Sequence, residues 1–386
     1  MTEICSKKTM DNLEKLLSDL VAINSINPEL VPGVAGEAEI AAFIAGWLEN
    51  AGLEVYQHES APNRPNVVAV ARGSGGGKTL LLNGHMDTVG VAGMPQALQP
   101  EVHGGNLYGR GAYDMKGGLA ACMLAVAAAR QLTLRGDVVF SAVVDEEFAG
   151  DGTLTVAKHY QADGAIVAEP THLQLIVAHK GFVWLEVETI GVAAHGSRPD
   201  LGVDAIVKMG PVLAGLEDWQ RTLQARPAHS RLGHASVHAS VIQGGQELSS
   251  YPERCVLSVE RRTLPGETPA AVETELQEII QRQRQADPTF QAVVRKGLAR
   301  TPLETPEGAS IVQAVRNAGA GVLGRLVELG GVSYWTDAAT LWAAGIPSVL
   351  IGPTGGGAHA VEEWVELESV AQCAEIYLAT AKQFCA

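Results

Sequence analysis

Apolar residues recur at helical spacing near the start of the chain, over residues 11–23 and 36–51. The second run ends at Gly52, a residue suited to the left-handed conformation that often closes a helix. Beyond it the apolar runs shorten to strand length, except for a long Ala-rich helical stretch at 117–131. Buried strands are predicted at 66–71, 79–85, 137–147, 164–170 and 346–353. Buried strands that alternate with helices indicate an α/β domain, with a central mixed sheet flanked by helices.

Residues 179–296 follow a different pattern, which predicts a strand, a helix, two strands, a helix and a strand. The predicted elements are 181–191, 203–224, 234–243, 254–264, 269–285 and 290–294. This order is that of the split βαβ, or ferredoxin-like, arrangement, in which two helices accompany one sheet. We therefore predict an inserted α+β domain at 179–296 and a discontinuous first domain made of 1–178 and 297–386.

The glycine-rich segment GSGGGKT at 73–79 is similar to the end of a phosphate-binding loop. That motif needs a glycine five residues before Gly77, where this chain has Arg72, and it must open a helix, whereas LLLNGH predicts a strand. We interpret the segment as a hairpin turn. Without a phosphate loop or a dinucleotide fingerprint, a nucleotide-dependent enzyme is disfavoured.

The chain of 386 residues has 28 Lys and Arg against 43 Asp and Glu, a formal charge of −15. The basic residues are scattered and form no stripe along a phosphate backbone, so nucleic acid is not an expected partner. The five cysteines form no C-x-x-C pair or disulfide framework, which favours a reducing cytoplasm. Because no apolar run could span a bilayer and the first residues contain no secretory signal, we expect neither membrane insertion nor secretion.

Several His, Asp and Glu residues follow predicted strands or lie in the loops after them, where an open α/β sheet binds its ligands. They are His85, Asp114, Glu147, Glu169 and His359. Each alone also fits a structural role, such as a hydrogen-bonded histidine or a turn-capping aspartate. Together they predict a metal centre, because VVDEE has carboxylates directly after a buried run and a cation would offset the cost of burying them.

Two imidazoles and three carboxylates suit zinc, with cobalt or manganese as alternatives. Five ligands suggest two ions, because a bridging carboxylate can hold a pair of ions about 3.5–4 Å apart with a shared, acidified water. That water needs a proton acceptor. Of the adjacent Glu146 and Glu147, one could be this general base and the other a ligand.

Five segments of this chain resemble those of the metallohydrolase family that includes acetylornithine deacetylase, succinyl-diaminopimelate desuccinylase, aminoacylase and carboxypeptidase G. GHMDTV, GRGAYDMKGG, DEE, AEPT and GGGAH occur in the family's order across nearly the whole chain. The resemblance implies that Asp114 bridges two metal ions. It implies that His85 and Glu169 complete one site, and that Glu147 and His359 complete the other.

The same resemblance implies roles for residues beside the ligands. Glu146 is expected to be the general base, and Asp87 to orient the His85 ring. The peptide bond between Asp114 and Met115 is expected to be cis, as it often is in this family.

The inserted segment carries a further part of the resemblance. GVAAHGSRPDLGVDA is similar to the family's lid motif, which implies that His195 donates a hydrogen bond to the oxyanion formed during attack. In many relatives a partner subunit supplies this histidine, so a homodimer paired through the lid domains is expected. The alternative is that His195 only caps a loop.

Two other stretches point to substrate contacts. The family normally has Asn at the position of Ser249 and an Asp-x-Arg pair where this chain has Glu260 and Arg262. Arg262 could bind a substrate carboxylate or form a structural salt bridge. Gly355 and Gly356 resemble a loop that lets substrate approach the backbone, although a plain turn would also explain them.

These residues favour hydrolysis of the amide bond of a small N-acyl amino acid by a metal-bridging water. A dipeptidase or carboxypeptidase that uses the same metal pair on a short peptide is the first alternative. The second is a non-catalytic protein that binds metal or a small ligand. A structural zinc site is closed by its ligands, however, and has no need of a spare base such as Glu146.

Overall fold

The computed structural model describes residues 7–386, with side chains from Met10 onward. The chain divides into two compact units. The first contains the described part of Met1–Val177 with Thr305–Gly330 and Thr336–Ala386, and the second contains Ala178–Glu304 and Gly331–Trp335. The second unit extends past the predicted boundary at residue 296, because its last long strand continues to Arg300.

Helices and strands alternate along much of the chain. The elements up to the eighth strand are α1 (Lys7–Ala22), α2 (Ala38–Asn50), β1 (Glu54–Ala61), β2 (Arg64–Ala71), β3 (Leu80–His85), β4 (Glu101–His103), β5 (Asn106–Tyr108), a π-helical turn (Ala112–Lys116), α3 (Gly117–Ala129), β6 (Val138–Val143), α4 (Asp151–His159), β7 (Gly164–Val167) and β8 (Leu175–His179). They are followed by β9 (Gly181–Ile190), β10 (Ala194–His195), α5 (Ala205–Ala225), β11 (Ser236–Gly244), β12 (Ser250–Tyr251), β13 (Arg254–Thr263), α6 (Pro269–Ala286), β14 (Gln291–Arg300) and β15 (Leu303–Glu304). The last elements are α7 (Ser310–Leu323), β16 (Leu329–Val332), α8 (Ala338–Ala343), β17 (Ser348–Leu350), β18 (Gly355–Gly356), β19 (Trp364–Glu366) and α9 (Leu367–Phe384).

The main sheet has the strand order β1-β2-β6-β3-β7-β17-β8. Its four middle strands, β6, β3, β7 and β17, are parallel to one another. Strands β1, β2 and β8 are antiparallel to their neighbours. The predicted α/β class with a central mixed sheet is therefore confirmed.

Helices cover both faces of this sheet, as two adjacent residues of β3 indicate. Asn83 donates a hydrogen bond to Thr153 of α4 at 3.1 Å. Gly84 faces the other way, where a Cβ atom would lie 2.9 Å from Met115 and 3.1 Å from Leu119 of α3. Because neighbouring strand residues point to opposite faces, α3 and α4 lie on opposite sides, and the strands between them are buried and apolar.

The second unit has a four-stranded sheet of order β11-β13-β9-β14, in which all neighbours are antiparallel. Helices α5 and α6 pack on this sheet around an apolar core. Strand β11 is at an edge. Residues 178–179 of β8 pair with β15, so the first and last strands of this unit are neighbours.

Two local predictions were wrong. The segment 73–79 is not a hairpin turn, because β2 and β3 lie on either side of β6. Gly73 is explained by close packing, since a Cβ atom there would lie 2.4 Å from the backbone oxygen of Gly136, whereas Gly75 has a φ of 99°. The strand predicted at 137–147 ends at Val143, because the chain turns at Asp145, whose φ is 70°.

Four of the five cysteines lie within the described residues. Cys122, Cys255, Cys373 and Cys385 are buried free thiols, whereas Cys5 lies outside the described residues. Within residues 7–386, no helix combines the length and the apolar character needed to cross a bilayer.

Candidate metal centre

The parallel strands β3, β6 and β7 end at one edge of the main sheet, and predicted ligands lie at this edge. His85 is the last residue of β3, and Glu169 lies just beyond the end of β7. After β6 the left-handed turn at Asp145 presents Glu146 and Glu147. Separate strand ends thus bring one imidazole and several carboxylates together.

Asp114 lies between two sets of potential ligands. Its Oδ1 is 3.2 Å from His85 Nε2, which is 3.7 Å from Glu169 Oε1. Its Oδ2 is 3.4 Å from His359 Nε2, which is 3.0 Å from Glu147 Oε2. Within each set the ligand atoms all lie within 4.8 Å of one another. Because ligand atoms about 2.1 Å from a tetrahedral ion are roughly 3.4 Å apart, each set has the spacing of a metal site.

Hydrogen bonds and nearby positive charge only partly compensate the carboxylates of this centre. Glu147 Oε1 is buried and accepts no hydrogen bond from any residue that the structure describes. Burial, together with repulsion from Glu169, raises the pKa of Glu146 well above its usual value. Burial raises the pKa of Glu169 in the same way, and Asp114 adds to it. Divalent cations would supply the missing positive charge, so the donor set fits two such ions.

The His85 ring is oriented by a hydrogen bond from the ring nitrogen that faces away from Asp114. This atom, Nδ1, lies 2.9 Å from the backbone oxygen of Asp87, and because a carbonyl can only accept, Nδ1 carries a proton. In the neutral form of the ring, which a metal ligand requires, His85 Nε2 directs its lone pair towards Asp114 and Glu169. The nearer partner is the Asp87 carbonyl, since the Asp87 carboxylate is 3.5 Å from Nδ1.

The Asp87 carboxylate is buried and faces the turn after β6. It accepts hydrogen bonds from the backbone N–H groups of Glu146 and Glu147, each at 3.1 Å, and from the Asn27 amide at 2.8 Å. Burial opposes its charge, but His85 and these donors outweigh burial and lower the pKa of Asp87. Asp87 therefore joins the end of β3 to the turn that carries both glutamates.

His359 is the most exposed of the five proposed ligands, with a side-chain exposure of 54%. Hydrogen bonds to Asp114 and Glu147 raise the pKa of His359 to about 10. A metal ion that binds His359 must displace this proton, so binding is coupled to pH.

Glu363 holds the loop that carries Asp114. Its buried carboxylate accepts hydrogen bonds from the backbone N–H groups of Gly111, Tyr113 and Asp114 at 2.9–3.0 Å. Arg110 binds the same carboxylate at 2.6 Å, which offsets its charge. Glu363 thus fixes the backbone from which the Asp114 side chain projects.

A small sheet of order β18-β19-β5-β4 joins the segments around this loop. Strand β5 precedes Asp114, and β18 and β19 flank His359 in the sequence. The peptide between Asp114 and Met115 is cis, as the resemblance implied. Sequence reasoning missed Glu363, because no pattern distinguishes it from its neighbour Glu362.

The second unit contains His195, which lies on β10 opposite Ser250 of β12. Its Nδ1 accepts a hydrogen bond from the Ser197 backbone N–H at 3.1 Å. In the neutral ring the proton is therefore on Nε2, and the side chain is exposed.

The other predicted substrate contacts in this unit have structural partners. Arg262 forms an ion pair with Glu260, and its guanidinium carbon lies 5.6 Å from the centroid of the Phe182 ring. The salt bridge that the sequence left open as an alternative is thus present. The backbone oxygen of Ser249 accepts a hydrogen bond from Gly196 at 2.6 Å, and Ser249 is exposed.

Gly355 and Gly356 form β18 and pair with β19. A Cβ atom on Gly355 would lie 2.3 Å from the Trp364 backbone oxygen and 2.5 Å from the Tyr113 ring. On Gly356 a Cβ atom would approach the Trp364 ring at 3.3 Å. The glycine at 355 is therefore required by packing beside Tyr113.

Comparison with known proteins identifies the family. Residues 81–383 match the model of peptidase family M20/M25/M40. The chain is 32% identical to acetylornithine deacetylase from Myxococcus xanthus, over 98% of each chain. It is 29% identical to N-formyl-4-amino-5-aminomethyl-2-methylpyrimidine deformylase from Halalkalibacterium halodurans, over 98% of this chain and 95% of the relative. A tripeptidase from Staphylococcus aureus has the same fold, with a TM-score of 0.81 and 20% identity over 97% of this chain and 98% of that one. The protein therefore belongs to peptidase family M20/M25/M40, a family of hydrolases.

Proposed function

We propose that this protein is a two-metal hydrolase that cleaves the amide bond of a small N-acyl amino acid. The observation that carries the proposal is the pair of ligand sets sharing Asp114, with Glu146 beside them but in neither set. A structural site is closed by its ligands and needs no additional carboxylate. A spare acid next to a metal pair instead suits a reaction in which a proton must move.

Bound divalent ions would polarise the amide carbonyl and lower the pKa of a water molecule between them. Glu146 then accepts a proton from the attacking water and returns it to the leaving amine. The Glu146 carboxylate is close enough to act there, because its Oε2 lies 3.9 Å from His85 Nε2. The hydrogen bond from its backbone N–H to Asp87 fixes the residue in this position.

Zinc is the metal that we propose, with cobalt or manganese as substitutes, because the ligands are imidazoles and carboxylates and include no thiolate. A cytoplasmic location suits the free thiols among the described residues. The names of the two curated relatives describe removal of an acetyl and of a formyl group, which supports a small acyl group for this protein.

The test is a substrate panel combined with metal analysis. We expect about two zinc equivalents per chain and hydrolysis of acetyl- or formyl-amino acids that is lost on chelation and restored by zinc. Succinyl-diaminopimelate and di- and tripeptides complete the panel. Metal binding without hydrolysis of any of these compounds would contradict the proposed reaction and favour a binding protein.

A peptidase acting on short peptides is the second candidate, and the fold shared with a tripeptidase favours it. Both candidates use the same ligands and the same Glu146, so the metal centre does not distinguish them. Higher kcat/KM for peptides than for acyl-amino acids would decide for the peptidase.

We also propose that the active form is a homodimer in which His195 of one subunit stabilises the oxyanion at the other subunit's metal centre. Three features support this arrangement. The His195 Nε2 proton is available as a donor, β11 lies at an edge of its sheet in the described part of the chain, and β11 exposes Val241 and Ile242 by 52% and 50%.

Charged residues on the exposed strand should break this dimer. We expect the double variant Val241→Lys, Ile242→Lys to shift the protein from dimer to monomer in light scattering and to lose turnover, because lysine blocks an edge strand. Leu326→Lys, a change at a residue 63% exposed in the first unit, is the control and should leave both properties unchanged. A monomeric double variant with normal turnover would exclude the shared site.

Mixed dimers test the role of His195 directly. His195→Ala and Glu146→Ala subunits should each be inactive alone. After exchange in equal amounts they should recover about a quarter of wild-type activity, since half the dimers then contain one complete site. Activity that stays at the background level would show that His195 does not act across subunits.

A further inference from the structure

Backbone hydrogen bonds join the segment between α1 and α2 to the residues that follow β3. Ile26 and Thr88 form a parallel β-bridge. The Asn27 N–H donates to the Thr88 oxygen at 2.9 Å, and the Thr88 N–H donates to the Ser25 oxygen at 3.0 Å. These bonds hold Asn27 beside the segment that contains His85.

The side chain of Asn27 is fully buried, and each end has hydrogen-bond partners. Its Nδ2 donates to Asp87 Oδ2 at 2.8 Å and to Asp145 Oδ1 at 3.2 Å. Its Oδ1 accepts from the Glu29 N–H at 2.9 Å. Both amide protons are thus directed at carboxylates, a role that aspartate or an apolar residue could not perform.

The two carboxylates would otherwise repel each other, because Asp87 and Asp145 are exposed by only 0% and 4%. On the far side of Asp145, Arg64 provides positive charge at 3.0 Å. Arg64 also makes two hydrogen bonds with the buried Glu37, at 2.5 and 3.0 Å. A continuous polar network therefore runs from Glu37 through Arg64, Asp145 and Asn27 to Asp87.

This network meets the proposed metal centre at two points. Asp87 accepts a hydrogen bond from His85 through its carbonyl, and Asp145 directly precedes Glu146 and Glu147. Asp145 is also held at a φ of 70°, which costs free energy for a residue other than glycine and needs support from its surroundings. One amide group of Asn27 donates hydrogen bonds to both Asp87 and Asp145.

We propose that Asn27 is a positioning residue, which holds Asp87 and Asp145 side by side and so sets the spacing of His85, Glu146 and Glu147 for metal binding and proton transfer. The proposal rests on the proposed metal centre, but not on the identity of the substrate. It predicts a change in metal affinity itself, which can be measured without any substrate.

The test is the zinc affinity of Asn27→Asp, measured by competition with a chromophoric chelator on protein whose circular dichroism matches that of the wild type. Aspartate keeps the acceptor for Glu29 but replaces the donor with a third carboxylate. We expect zinc affinity to fall about 10- to 100-fold, as is typical when a partner of a metal ligand is lost. The turnover number kcat should fall at saturating zinc, because Glu146 is also displaced.

Asn24→Asp is the matched control. Asn24 lies in the same segment, and its Oδ1 accepts a hydrogen bond from the Ile26 N–H at 3.2 Å, which aspartate preserves. This variant should bind zinc as the wild type does. If Asn27→Asp does not fold, the same zinc titration is made on Asn27→Ser, which is smaller and has a single donor. Its zinc affinity should then be lower than that of the wild type.

Wild-type zinc affinity in a folded Asn27 variant would overturn the proposal, even if that variant unfolds at a lower temperature. A weaker affinity in the Asn27 variant and an unchanged affinity in the control would support it. If wild-type protein binds zinc but hydrolyses nothing in the panel, only the proposed reaction fails.

Discussion

Glu146→Ala should lower kcat by about 10²- to 10⁴-fold, which is the usual contribution of a positioned acid or base. Metal content should stay near the wild-type value, because Glu146 belongs to neither ligand set. The measurements are steady-state kinetics on the best substrate of the panel and metal analysis of the same preparation. Glu146→Gln keeps the size of the side chain but cannot take up a proton. It should show the same fall in kcat and the same metal content as Glu146→Ala.

Glu49→Ala, a change at an exposed glutamate near the end of α2, is the control for loss of a carboxylate in general. It should leave kcat and metal content unchanged. Two results would count against the role of Glu146. One is turnover within threefold of the wild type, and the other is loss of bound metal together with activity, which would make Glu146 a ligand.

Asp114→Ala should remove both metal ions, whereas loss of any other proposed ligand leaves one ligand set intact. Asp114 has Oδ1 in one set and Oδ2 in the other. Because metal ions contribute several kcal/mol of charge stabilisation, we expect kcat/KM to fall by about 10³-fold or more. The check is metal content after dialysis against metal-free buffer, followed by assay with added zinc.

The matched control for this variant is Asp11→Ala, at an exposed position of α1. It should retain its metal and its activity. If Asp114→Ala keeps two equivalents of zinc after dialysis, the bridging arrangement is wrong, whatever happens to the rate.

The fold class and the positions of the proposed ligands in the fold could be predicted because both depend on local patterns. A strand that is apolar throughout and ends in a polar residue indicates a buried parallel strand whose end opens to the site. The apolar start of β3 leads to His85 at its end, and Glu169 comes two residues after β7. The strand and helix order of the second unit was similarly evident, because its two middle strands, β9 and β13, alternate between buried and less buried residues.

What the sequence could not reveal depends on contacts between distant segments. Glu363 binds a loop 249 positions earlier, and Asn27 meets Asp145 across 118 positions. Neither residue lies in a segment whose pattern suggests a site. The hairpin expected at 73–79 was wrong for the same reason, because β6, which enters between β2 and β3, comes later in the chain.

The pairing of β8 with β15 affects which parts of this protein can change in sequence during evolution. Ala178 and His179 lie opposite Glu304 and Leu303, so the two ends of the main segment of the second unit are adjacent. When the two ends of a segment are close together, that segment can be exchanged without moving the residues on either side. Four of the five proposed ligands precede the junction, and His359 follows it. We therefore expect the segment Ala178–Glu304, which forms most of the second unit, to tolerate changes in length and sequence that preserve the positions of the proposed ligands in the first unit.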